Sequence, residues 1–170
     1  MLKIFLKMYS IPAFVVASYL IGLAISGLIF LILNIDPGQL RNNQDLGGWF
    51  SIFIHNLSVQ AYLILGGLTL GFLTVVIMFI NGLVAGFMIS NAILTNQVGY
   101  LFLNIGAHGL FEMTAVFLSA TIGIQIGIEI LRSRFQKSFF KYFDKKFILK
   151  LCLIISLTLI AAVLEHAIQL

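Results

Sequence analysis

The feature that most constrains this chain is the spacing of its charges. No Asp, Glu, Lys or Arg lies between Lys7 and Asp36, a gap of 28 residues, and none between Asp45 and Glu112, a gap of 66. A soluble domain covers itself with polar and charged side chains, and gaps of this length leave too few of them. Of the 170 residues, 61% are hydrophobic and only 9% charged, against roughly 25% charged in ordinary soluble domains. Mean hydropathy is +1.10. This balance excludes a soluble globular enzyme, a disordered chain and a nucleic-acid-binding domain. The sequence reads as an all-α integral membrane protein, multi-pass in the plasma membrane.

A helix crosses a bilayer with about 20 apolar residues. On that measure the chain supplies five spans, at about 11–33, 50–68, 71–92, 100–131 and 147–168, as one transmembrane domain. The start, Met1-Leu-Lys-Ile-Phe-Leu-Lys7, has the basic character of a signal peptide. The apolar run from Ile11 to Leu33 is longer than the ~7–15 residues of a cleavable core, so an uncleaved first helix is expected. Lipid offers no hydrogen bonds to an open backbone, and nothing here alternates with period two, so each span should be an α-helix. Paired Gly66-Gly67, with Gly71 following, mark the expected turn between spans two and three. Asn81-Gly82 is the alternative break; it would make 50–80 one long tilted helix and 83–92 a re-entrant half-helix.

Lys and Arg in short loops set orientation. Lys3 and Lys7 precede the first span, whereas the following loop holds Asp36, Asp45 and only Arg41. The segment 132–150 carries seven Lys/Arg against the single acid Asp144. Five crossings put the N-terminus and this segment on the same side, the cytoplasm, and the C-terminus outside. The net charge of +4 is thereby explained by topology, without nucleic acid. Within the segment, Phe135, Phe139, Phe143 and Phe147 recur every four residues, as do Lys137, Lys141 and Lys145. On a helix these become separate aromatic and cationic stripes. A basic amphipathic helix over 132–146 would lie at the interface with Lys137, Lys141, Lys145 and Lys146 towards anionic headgroups. The plainer reading is positive-inside anchoring.

Polar groups at membrane depth are expensive, and an ionisable one is a functional candidate. The set is His55, Asn56, Asn81, Asn104, His108 and Glu112. Glu129 stands three residues from Arg132 and is expected to pair with it. Asn104, His108 and Glu112 are spaced i, i+4, i+8, which stacks them on one helix face. That face continues through Ala115, Ser119, Gly123 and Gly127, small residues that admit a close neighbouring helix. Taking Arg132 as the inner boundary, Glu112 lies about 30 Å along a straight helix, near the outer edge of the hydrocarbon. His55 starts the second span at that level, and Glu165 and His166 end the fifth. His55, His108, Glu112 and His166 form a candidate Zn²⁺ set. The commoner use of such groups is a network joining helices, so neither metal nor cofactor is expected. Cys152 is the single cysteine, which excludes a disulfide framework and a thiolate metal site. No H-E-x-x-H, G-x-S-x-G or phosphate-loop pattern occurs, so no enzyme activity is expected.

The runs Phe53-Ile-His-Asn-Leu57, Gly66-Gly67 with Gly71, Asn81-Gly-Leu-Val-Ala-Gly86, and His108-Gly-Leu-Phe-Glu112 with Ala115 occur in this order within about 50–131. Together they resemble the stage II sporulation protein M family. Ala107 stands where that family often has Pro before the His, so no fixed kink is implied there. The resemblance implies a polytopic, non-enzymatic scaffold that holds peptidoglycan-degrading partners in a membrane complex. Small relatives of this kind accompany circular bacteriocins, in maturation, export or self-protection. The partners implied are an anionic lipid bilayer, other membrane or envelope proteins, or a second copy of the chain. A rival reading from the residues alone is a channel or small transporter that uses the Asn/His/Glu cluster.

Overall fold

The computed structural model describes residues 2–33, 48–133 and 145–169, apart from the side chains of residues 2–9, 100, 103–105, 107 and 169. The described residues form helices and tight turns, with no strand among them. The helices are α1 (Leu2–Leu33), α2 (Trp49–Leu65), α3 (Phe72–Leu94), α4 (Val98–Ser133) and α5 (Lys145–Gln169). Each contains a segment long and apolar enough to cross a membrane. α1 starts at Leu2 rather than near residue 11, because neither Gly nor Pro interrupts the chain before Pro12. At 36 residues, α4 is about 54 Å long and exceeds a ~30 Å hydrocarbon layer. Arg132 and Ser133 end α4, and Lys145 and Lys146 open α5. Lys137, Lys141 and the rest of 134–144 lie outside the described residues.

The break between α2 and α3 falls at Gly66–Gly71, while Asn81 and Gly82 sit inside α3. A short 3₁₀ turn runs from Gly66 to Thr69, after which Leu70 (φ 59°) and Gly71 (φ 87°) are left-handed. The Thr74 hydroxyl reaches back across this turn to donate to the Leu63 carbonyl at 2.8 Å. α3 and α4 join more tightly. Asn96 is left-handed (φ 55°), and its N–H donates to the Ile93 carbonyl while the Gln97 N–H donates to that of Ala92. This paired arrangement satisfies carbonyls that the end of α3 would otherwise leave open.

Close packing orders the bundle. Tyr19 to Ser26 of α1 meet Phe79 to Gly86 of α3 in the same sequence direction, so these two helices run parallel. A Cβ at Gly82 would overlap the Tyr19 carbonyl, so backbone meets backbone there. α2 and α4 are parallel by the same argument: Leu63 lies against Gly123, and Leu70 against Gly127. Ala115, Ser119, Gly123 and Gly127 are all buried. Leu63, Met78, Ala115 and Ala120 are fully enclosed, whereas Leu31 and Ile32 are each 77% exposed. Small and polar residues inside with large apolar ones outside is the arrangement that lipid, not water, stabilises. Most interior hydroxyls bond to their own helix, as Ser18 to Phe14 at 2.9 Å and Ser119 to Ala115 at 2.8 Å.

Candidate functional site

α4 and α5 are antiparallel neighbours. Counting back from Ser133 to Glu112 and forward from Lys145 to Glu165 covers nearly equal stretches of helix, about 30 Å each. The two glutamates therefore meet at the end of the bundle remote from Ser133 and Lys145. One imidazole nitrogen of His108 and one carboxylate oxygen each from Glu112 and Glu165 lie within 4.8 Å of one another. All three side chains are half-buried. His108 and Glu112 are one turn apart on α4, which puts them on one face.

This triad opens on a cavity of about 590 Å³ to which every helix contributes. Tyr19 comes from α1, Asn56 from α2, Asn81 from α3, and Glu165 from α5 beside the α4 pair. Tyr19 is held edge-on against Phe117 with ring centroids 5.5 Å apart. The Asn81 side-chain amide donates to the Ile77 carbonyl at 2.9 Å, which anchors it against its own helix. Nδ1 of His108 is shut off from solvent and has no hydrogen-bond partner among the described residues.

The polar residues singled out from the sequence separate into two groups. Asn56, Asn81, His108 and Glu112 line the cavity. His55 does not: it is exposed on α2, whereas its neighbour Asn56 is 9% exposed. One step along a helix turns a side chain by about 100°, which separates the two. His166 stands next to Glu165 yet lies outside the triad, so neither His55 nor His166 is among the grouped ligands. The Asn104 side chain lies outside the described residues. Glu165 is the participant that the sequence placed at the same end of the bundle as Glu112 but not in the set. Its signal was available as the carboxylate opposite Glu112 across an antiparallel pair. Glu129 does bond to Arg132, at 3.4 Å.

Chemically, the triad brings two carboxylates together with a single imidazole. At 4.8 Å two ionised carboxylates repel by about 3 kcal/mol for an effective dielectric of ~20. No Lys or Arg is among the described residues that line the cavity. Positive charge between them, whether proton, imidazolium or metal cation, is what this geometry favours.

Comparison with known proteins places the architecture. The family profile described as "Stage II sporulation protein M" matches residues 13–168, well beyond the motif-bearing half and across all five helices. An uncharacterized protein of Methanocaldococcus jannaschii is 32% identical over 109 residues, which cover 59% of this chain and 61% of that protein. The chain thus spans under two thirds of that relative's length. No solved structure matches. With five apolar helices in register with a profile that runs from the first to the last of them, the chain belongs to the stage II sporulation protein M family.

Proposed function

We propose that this chain is a non-catalytic, membrane-embedded subunit that stabilises a multiprotein complex of the cell envelope. The observation that carries this reading is the family match over residues 13–168, which takes in every spanning helix. In this proposal the chain sits in the plasma membrane. Its N-terminus and the basic segment 132–150 face the cytoplasm, and its C-terminus faces outward, as the Lys and Arg distribution favours. Lys137 and Lys141 then meet anionic headgroups or a partner's acidic surface.

The test uses the chain expressed from its own locus and extracted in a mild detergent. A native assembly well above the 18.8 kDa chain and its homo-oligomers, containing other envelope proteins, supports the proposal. A chain that migrates alone overturns it. The co-assembled proteins also separate two roles. Peptidoglycan hydrolases indicate envelope remodelling of the sporulation type. A small hydrophobic peptide precursor with an exporter indicates bacteriocin maturation, export or immunity.

A second reading is favoured by one observation, the cavity of about 590 Å³ within the bundle, into whose mainly apolar lining Asn56, Asn81, His108, Glu112 and Glu165 are set. Transporters build sites from polar groups held at membrane depth between helices. A channel or small transporter using His108 and Glu112 would show ion or solute flux in proteoliposomes that Glu112→Gln abolishes. Flux unchanged by Glu112→Gln and His108→Ala removes this reading.

A further inference from the structure

The triad combines two features that a network joining helices does not require. Its imidazole carries an Nδ1 away from solvent with no hydrogen-bond partner among the described residues. Its three donors lie within 4.8 Å of one another although they come from two helices and are separated by up to 57 residues of chain, from His108 to Glu165.

We propose that His108, Glu112 and Glu165 bind one divalent transition-metal cation. One imidazole nitrogen and two carboxylate oxygens are borderline-to-hard donors; they suit Zn²⁺ first and Mn²⁺ or Fe²⁺ next. Donors about 2.1 Å from a tetrahedral Zn²⁺ stand about 3.4 Å apart. The flexible Glu112 and Glu165 side chains can close the remaining distance by rotation about their own bonds. The cation neutralises the carboxylate repulsion and ties α4 to α5 at the end of the bundle remote from Ser133 and Lys145. Three protein ligands leave a coordination position for water or for an oxygen ligand held in the cavity. The site stands independently of the assembly reading, since a chain without partners can still hold the ion and an assembled one can lack it.

The test takes the full-length chain without a histidine tag, strips it with a chelator and titrates it with Zn²⁺. Co²⁺ serves as an optical reporter of coordination geometry. We expect one equivalent bound, with an X-ray absorption shell containing one imidazole, oxygen donors and no sulfur. Glu165→Gln and Glu112→Gln each lose about tenfold or more in affinity, as removal of a direct ligand requires. His55→Ala and His166→Ala bind as the parent chain does. The proposal is overturned by substoichiometric binding at micromolar Zn²⁺, by a shell with two imidazoles or the Cys152 thiolate, or by unchanged affinity in Glu165→Gln. Should the Glu variants fail to fold, the stoichiometry and absorption shell of the parent chain decide the matter alone.

Discussion

The Thr158 hydroxyl of α5 lies 2.6 Å from Oε1 of Gln60 on α2, with both side chains buried. The same hydroxyl is 2.7 Å from the Ile154 carbonyl of its own helix, so it has a second acceptor in reserve. The other end of the Gln60 amide, Nε2, is buried without a partner among the described residues. The two sides of this contact therefore respond unequally to mutation. Thr158→Val strands the whole Gln60 amide and should destabilise the fold by about 1–3 kcal/mol. Gln60→Leu removes the amide and lets Thr158 fall back on Ile154, so its cost should be smaller. The double variant should recover stability relative to Thr158→Val. Reversible unfolding in mixed micelles measures all three, and equal losses from the two single changes would contradict this account.

Gly82 and Gly27 make a matched pair for the α1–α3 contact. A Cβ at Gly82 meets the Tyr19 backbone, which cannot swing aside, whereas one at Gly27 meets nothing within 4 Å. Gly82→Ala should separate α1 from α3 and lower the melting temperature, with a loss of stability of about 1–3 kcal/mol as for overpacked cores. Gly27→Ala should be neutral or stabilising by up to about 1 kcal/mol, from helix propensity alone. Thermal unfolding of both variants in one detergent reads out the contrast.

The turn after α2 depends on backbone that L-residues rarely adopt. Gly71 has φ 87°, directly after left-handed Leu70. Gly71→Ala should cost about 1–2 kcal/mol, and Gly71→Asn less, because Asn tolerates this region better. Thr74→Val should also weaken the turn, by losing the bond to the Leu63 carbonyl. Chemical denaturation compared across the three variants tests the ranking Ala worse than Asn at position 71.

Orientation can be tested by labelling in whole cells. With Cys152 replaced by Ser to clear the background, Gln39→Cys should react with a membrane-impermeant maleimide from outside. Ser138→Cys should react only after the membrane is opened. The reverse pattern would invert the proposed topology, and labelling of both from outside would overturn five crossings.

Much of the architecture is legible because lipid imposes a simple rule on length and polarity. Charge-free runs around Ile11–Leu33 and between Asp45 and Glu112 require helices, and Gly66-Gly67 with Gly71 supply the chemistry of a turn. The stripe from Ala115 to Gly127 is readable for the same reason, as small residues every four positions mark a face that a neighbour can approach. The limits appear at the helix ends. α1 runs back to Leu2 through Lys3 and Lys7, because charges end a membrane span without ending a helix.

The sequence alone determined how many spanning helices this chain makes and how far along its helix each polar residue falls, since both follow from counting along the chain; the choice of Gly66–Gly71 over Asn81-Gly82 as the turn came from the structure. Only the tertiary structure decided which polar residues meet. Depth is set by rise along a helix axis, but contact also needs the rotation of each helix about that axis, and rotation is fixed by packing between distant segments. His55 and Asn56 share a depth, yet only Asn56 turns into the cavity. Glu165 and His166 share one too, and the glutamate is the one that joins Glu112 and His108.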